Sequence, residues 1–113
     1  LYSETKLKDR CKLVLALLEE LKSGVRVSEA FTIEHILPDS QAQENSIIGN
    51  LLMLEERLNA KCKDKSLKEK LPIYAESRYA TTRAFAKRYA NGCFDVKKRV
   101  DFIAKDLFEM VIH

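Results

Sequence analysis

Apolar residues recur at three- and four-residue intervals near the start of the chain and again in its second half. The first of these patterns predicts an amphipathic helix over residues 4–22 that stops at Ser23-Gly24, and it consists of Leu7, Cys11, Val14, Leu15, Leu18 and Leu21. The same spacing predicts further helices over residues 78–89 and 94–111, separated by a turn. A shorter helix over residues 66–71 is expected to be interrupted by Pro72.

The middle of the chain has a different pattern, rich in β-branched and aromatic residues. Phe31–Ile36 predicts a strand that Pro38 ends, and Val25–Val27 suggests a shorter one. Residues 47–54 are apolar around Gly49-Asn50, which predicts a turn entering a second strand, and residues 55–63 then predict a helix. The order of elements predicts an α+β domain dominated by helix.

Composition restricts the class of protein. With 113 residues, 46% hydrophobic and 33% charged, the chain suits one folded domain. No apolar run reaches the roughly 18 residues of a membrane span. Cys11, Cys62 and Cys93 are odd in number and include no CxxC pair, so we expect a reducing, cytoplasmic setting and not a disulfide framework. Because the chain starts inside a helical pattern without an initiator Met, we expect it to be the C-terminal part of a larger protein.

Charge is unevenly placed, although the net charge is only +3. Residues 27–56 hold six acidic residues and no Lys or Arg, whereas residues 78–99 hold seven basic residues against one acid. The basic segment favours binding to a polyanion, because phosphate contacts supply most non-specific affinity for nucleic acid. A solvated helix face is the alternative explanation of the same pattern.

The candidate chemistry begins at the end of the first predicted strand. The imidazole of His35 can take a proton from water near neutral pH, and Glu34 and Asn59 offer the oxygen ligands that Mg²⁺ prefers. Asn50, in a turn, is better suited to bracing a loop. Since side chains alternate along a strand, Glu34 and His35 share one site only if the strand bends near Pro38. Each of these four residues, taken alone, also has an ordinary structural explanation. It is their order along the chain and their placement on strand, turn and helix that indicate phosphodiester hydrolysis.

These residues belong to longer motifs in a fixed order. The order is Glu34-His35-Ile36-Leu37-Pro38, Ile48-Gly49-Asn50-Leu51, Leu58-Asn59-Ala60-Lys61 and Lys65-Ser66-Leu67-Lys68-Glu69-Lys70. It resembles the HNH (His-Me finger) nuclease domain of the GmrS/GmrD-type restriction family, which is marked by a His-x-x-Pro motif, present here as His35 to Pro38. The resemblance covers about residues 25–99.

The resemblance implies an α+β fold in which a ββα-metal (His-Me) finger with a short two-stranded hairpin is embedded in a mainly helical domain. The finger core would span residues 25–63 and the C-terminal helices residues 66–111 of a single domain. His35 would be the general base, Glu34 a metal ligand, Asn50 the residue that holds the finger loop, and Asn59 a catalytic metal ligand on the helix. Asn59 stands in place of the last His of a literal HNH motif, which favours Mg²⁺ or Mn²⁺ over zinc.

The resemblance also implies partners. DNA, as a duplex, would be cut in defence against phage and other foreign DNA, and the domain would follow an N-terminal ParB-like nucleotide-hydrolysing domain. The DNA-binding residues would be Lys61, Arg83, Lys87, Arg88, Lys97 and Lys98. The chemistry itself would serve RNA equally well.

Two other interpretations stay open at this point. In the first, the chain is a non-catalytic module that binds nucleic acid or protein and keeps the finger as a scaffold. In the second, it is a zinc-stabilised helical module that uses the three cysteines and a histidine, although their spacing is irregular.

Overall fold

The computed structural model describes residues 4–27, 31–37 and 48–112. In chain order these form α1 (Glu4–Ser23), β1 (Thr32–His35), a 3₁₀ turn (Ile48–Asn50), β2 (Leu51–Leu54), α2 (Glu56–Lys61), α3 (Leu67–Tyr74), α4 (Ala80–Arg88) and α5 (Val96–Ile112). The predicted α+β class with a short hairpin in a mainly helical chain is therefore confirmed. Pro38, the last residue of the His-x-x-Pro motif, lies outside the described residues.

The two strands form a small antiparallel sheet at the centre of the fold. Thr32 pairs with Leu54 at one end and His35 with Leu51 at the other. All four residues of β2 are buried, as expected of a strand that helices cover on both faces. The sheet is therefore held inside the molecule, and it presents the end of β1 at a fixed place.

Apolar side chains pack on both sides of this sheet. One cluster joins Ile36, Leu52 and Leu54 to α2, α3 and α4, with Leu58, Tyr74 and Phe85 among its members. The other cluster places α1 against the opposite side and is formed by Leu15, Phe31, Leu51, Met53 and Tyr79. Alternation along the strands sends neighbouring side chains into different clusters.

A buried carboxylate fixes α1 to the start of α4. Glu19 of α1 accepts hydrogen bonds from the backbone N–H groups of Ala80 and Thr81, both at 2.8 Å. These are among the N–H groups that a helix leaves without an internal partner, and a negative charge is favourable there. Glu19 therefore supplies the cap that α4 does not obtain from the side chain of its own N-cap residue, Tyr79.

The helix around Pro72 differs from the sequence-based prediction. We expected an interruption there, but α3 continues through Pro72 to Tyr74. Ser66 and Glu69 form a capping box at its start, and Leu71, Ile73 and Tyr74 are buried. Because Pro72 is exposed and removes one backbone donor, packing and capping compensate for the loss.

The prediction of a short strand at Val25–Val27 was wrong, because this segment is irregular and the side chain of Val25 is 66% exposed. The outer face of α1 also exposes the apolar residues Leu13 and Leu17. Even so, no helix in the described ranges is both long enough and apolar enough to cross a lipid bilayer.

Candidate functional site

Asn50 holds the chain just after β1. Its Oδ1 accepts a hydrogen bond from the N–H of Leu37 at 2.8 Å, and its Nδ2 donates to the carbonyl of Leu37 at 3.0 Å. The carbonyl of Asn50 accepts from the N–H of Ile36 at 2.9 Å. The fully buried amide thus pairs with a peptide group as a neighbouring strand would, and it extends the hairpin beyond its last regular pair.

A side chain of α5 binds the turn that carries Asn50. Nη1 of Arg99 donates to the carbonyls of Gly49 at 3.0 Å and Leu51 at 2.7 Å. Arg99 is only 8% exposed, its guanidinium lies over the ring of Phe85, and burial lowers its pKa to about 10. Arg99 is one of the seven basic residues in the segment 78–99, for which we expected contact with a polyanion. In the structure, however, Arg99 is buried and supports the turn.

Glu34 lies in a buried polar network with α3. Its Oε2 accepts a hydrogen bond from the hydroxyl of Tyr74 at 2.5 Å and forms an ion pair with Nζ of Lys70 at 3.0 Å. Neither of these bonds uses Oε1. Glu34 is 5% exposed, so Lys70 and Tyr74, and not solvent, balance the charge of its carboxylate.

Two neighbours of Glu34 remain protonated because of this environment. Burial, and next the charge of Glu34, raise the pKa of Tyr74, so that its O–H acts as a donor. Burial, with a smaller contribution from Glu34, raises the pKa of Cys62 to about 11. The thiol of Cys62 is therefore an inert neighbour of the carboxylate and not a thiolate nucleophile.

Asn59 anchors α2 on β1. Its Nδ2 donates to Oγ1 of Thr32 at 2.8 Å and to the carbonyl of Ile33 at 3.2 Å. Because a backbone carbonyl can only accept, the nitrogen must face β1, and Oδ1 points away from these two acceptors. The amide oxygen is thereby presented on the side of Asn59 that faces away from the strand backbone.

The structure thus brings Glu34, Asn50 and Asn59 onto the same short segment as His35. Ile33, which Asn59 contacts, precedes His35 by two residues, about 7 Å along a strand. His35 is half-buried, and its carbonyl accepts a hydrogen bond from Lys70 at 3.0 Å. The catalytic and metal-binding roles of these residues remain predictions.

The zinc hypothesis finds no support in the described part of the chain. No group of three or more His, Cys, Asp or Glu side chains that could hold a metal ion occurs within residues 4–27, 31–37 and 48–112. Cys62 is buried and Cys93 is exposed, and both are free thiols, as is Cys11.

The predicted DNA-binding residues lie on the surface, as contact with a polyanion requires. All six are exposed: Lys61, Arg83, Lys87, Arg88, Lys97 and Lys98. Arg83 and Lys87 line a groove between α3 and α4, together with Lys68, which the sequence analysis did not select. The guanidinium of Arg88 lies 3.7 Å from the ring centroid of Phe102, so this side chain also packs against α5.

Sequence reasoning missed three residues that shape this site, namely Lys70, Tyr74 and Arg99. Lys70 belongs to the Lys-rich motif of residues 65–70, which was given no role of its own, yet it lies four positions before Tyr74 on one helix face. A lysine and a tyrosine at this spacing beside buried apolar residues is a usable signal. That Lys70 and Tyr74 both bind the carboxylate of Glu34 is decided by the tertiary structure.

Comparison with known proteins supports the restriction family named from the sequence motifs. The family described as GmrSD restriction endonucleases, C-terminal domain, matches residues 2–105 of this chain. No curated protein and no solved structure shows a significant match. Since the family match spans most of the 113 residues, the chain belongs to the C-terminal domain family of the GmrSD restriction endonucleases.

Proposed function

We propose that this chain is a metal-dependent DNA endonuclease domain of the HNH (His-Me finger) type, acting in restriction of phage and other foreign DNA. One observation carries the proposal: two asparagines from different elements fix the segment around His35. Asn59 holds β1 through Ile33, and Asn50 clamps Leu37 on the other side of the histidine. A general base needs such a fixed backbone, because misplacement by about 1 Å can cost about 10²-fold in rate.

In the proposed reaction the imidazole of His35 takes a proton from a water molecule. The resulting hydroxide forms a bond to phosphorus, and the P–O bond to one nucleoside breaks. The proton taken from water resides on the imidazole. Asn50 keeps the peptide of Leu37 in place during these steps.

The residues present fit a hard divalent cation. Asn59 presents its amide oxygen away from β1, and the bonds from Tyr74 and Lys70 go to Oε2 of Glu34, so Oδ1 of Asn59 and Oε1 of Glu34 would be the ligands. Hydrogen bonds from Lys70 and Tyr74 to Oε2 suit a metal-ligating carboxylate, since such ligands are commonly oriented by a second layer of donors. Bound Mg²⁺ or Mn²⁺ would polarise the phosphate and stabilise charge on the leaving oxygen.

The substrate surface is proposed on the α3–α4 side. Lys68, Arg83 and Lys87 place three cations along one groove, and phosphate oxygens are their natural partners. Lys61, Arg88, Lys97 and Lys98, which are exposed outside this groove, are proposed as further DNA contacts. In the full-length protein we expect a ParB-like nucleotide-hydrolysing domain on the N-terminal side, as the family resemblance implies.

The test is nicking of supercoiled plasmid with Mg²⁺ or Mn²⁺. We expect His35→Ala to lose about 10²–10⁴-fold in rate, the usual contribution of a general base. Asn59→Ala should also lose nicking, whereas Thr32→Val, which removes one acceptor of Asn59 and leaves its amide oxygen in place, should retain most of it.

Each outcome separates the candidate functions. Equal metal-dependent nicking by the parent chain and His35→Ala would indicate a contaminating nuclease and end the proposal. Tight DNA binding without metal-dependent nicking would favour the non-catalytic binding module.

A further inference from the structure

Lys70 is a buried cation whose donors all point at the proposed catalytic segment. It is 8% exposed, and lysine is rarely buried without partners. Nζ lies 3.0 Å from Oε2 of Glu34, 3.0 Å from the carbonyl oxygen of His35 and 3.2 Å from that of Ile36. An ammonium group has three N–H donors, so these three acceptors use all of them.

The two carbonyls show what this cation does to the backbone. In an extended strand successive carbonyls point in opposite directions, so one donor cannot reach both. At His35 and Ile36 they converge on a single Nζ, which means that the chain turns at the residue after β1. The bend begins directly after Glu34 and His35, which both lie in β1, so it fixes the end of the strand and does not by itself place these two side chains on one face.

α3 contacts the bend and the neighbouring Glu34 through two side chains that are four residues apart. Tyr74 and Lys70 both bond to Oε2 of Glu34, and Lys70 alone continues to the backbone of His35 and Ile36. The direction of the His35 ring depends on its backbone angles and its own side-chain torsions, and the bond from Lys70 to its carbonyl restrains the backbone angles. Asn50 holds the next residue, Leu37, from the other side.

We propose that Lys70 is a positioning residue of the nuclease centre: its ammonium ties the His35–Ile36 carbonyls to the Glu34 carboxylate and thereby directs the His35 imidazole. The inference rests on the proposed function, since it assigns Lys70 a part in that same site. Lys70 is buried and its three donors are engaged within the protein, so we assign it no contact with DNA or with the reacting atoms. Its loss should therefore lower kcat and leave KM for plasmid unchanged.

The experiment compares two backgrounds of the same chain. In the first, His35 is present and Lys70→Met is expected to lower kcat for nicking about 10- to 100-fold, as loss of such a supporting contact does. In the second, His35→Gly is rescued with free imidazole, which no backbone holds. There, Lys70→Met should lower the rescued rate by a smaller factor, because only the contact of Lys70 with Glu34 is then lost and its effect through the His35 backbone is absent.

Two further variants separate positioning from folding. Lys105→Met, at an exposed lysine of α5 outside the proposed DNA-binding residues, should leave kcat unchanged. Lys70→Arg keeps the charge beside Glu34, and its planar guanidinium cannot reproduce three converging bonds from one nitrogen. It should fold, as measured by circular dichroism, and should show a smaller kcat loss than Lys70→Met in the His35 background only.

The outcomes distinguish the two proposals. The same fold-loss with and without His35, or no loss in Lys70→Met and Lys70→Arg, would overturn the role of Lys70 while leaving the nuclease intact. Nicking by unrescued His35→Gly at the parent rate, or no nicking by the parent chain, would instead overturn the proposed function.

Discussion

Gly49 stands where α5 passes closest to the turn before β2. A Cβ placed on it would lie 2.4 Å from the carbonyl oxygen of Val96 and 2.6 Å from Cγ2 of Val100. Gly49 has no positive φ, unlike Gly24 and Gly92, so space and not backbone conformation requires glycine here. Gly49→Ala is therefore a direct test of the packing between the turn and α5.

The size of the effect follows from these distances. Ordinary contact begins at 3.4 Å, so α5 and the turn must separate by about 1 Å, and the Val96 oxygen cannot rotate away because it is backbone. The same movement stretches the bond of 3.0 Å from Arg99 to Gly49. Overpacking costs about 1–3 kcal/mol and a weakened charged hydrogen bond about 1–2 kcal/mol, so we expect a loss of about 2–5 kcal/mol.

The measurement is urea unfolding followed by circular dichroism, with Gly92→Ala as the matched control. A Cβ at Gly92 meets nothing within 4 Å, but its φ of +81° makes alanine cost about 1–2 kcal/mol through backbone strain alone. Gly49→Ala should also slow nicking, because the turn carries Asn50, whereas Gly92→Ala should not. Stability of Gly49→Ala within about 0.5 kcal/mol of the parent chain would refute the reasoning.

Further predictions concern stability and DNA binding. Arg99→Met should lower the free energy of unfolding by about 3 kcal/mol in urea, because buried carbonyls of the turn lose a charged donor; a change below about 0.5 kcal/mol would contradict this. Burial opposes ionisation of Glu55, but hydrogen bonds from the N–H of Arg78 and the hydroxyl of Ser77 outweigh it and lower its pKa from 4.5. Its contribution to stability is therefore present above pH 4.5 and disappears as pH falls through the lowered value, so Glu55→Gln should make unfolding less dependent on pH in that acidic range. Lys87→Ala should weaken binding to duplex DNA in fluorescence anisotropy and flatten the slope of log K against log salt by about 0.9; an unchanged slope would place the duplex elsewhere.

Local sequence patterns gave the helices and strands because their causes are local. The apolar face of α4 is one case: Thr82, Phe85 and Ala86 repeat at helical spacing, and all three are buried. The prediction that Pro72 interrupts the helix was wrong. The capping box at the start of α3 and the buried residues on either side of Pro72 stabilise the helix despite the proline. Whether a helix survives one lost hydrogen bond depends on packing that the local sequence does not display.

The candidate site divides in the same way. Its residue types and order, from Glu34 and His35 through Asn50 to Asn59, were available from the sequence, since motif spacing is a property of the chain itself. The hydrogen-bond partners of these residues could not be predicted from the sequence. Nothing local indicates that Lys70 lies under His35, because the two are 35 positions apart and meet through tertiary packing.

Residue pattern by itself determined the α+β class, the position of the hairpin, the motif order and the family, because periodicity and spacing are local properties. Only the tertiary structure decided which charges face solvent and which are buried. Arg99, from the basic segment of residues 78–99, is buried and supports the turn before β2, and Lys70, from the Lys-rich motif, is buried and supports the bend after β1. The physical reason is that a buried cation is stable only beside oriented acceptors, and folding alone brings those carbonyl and carboxylate oxygens into place.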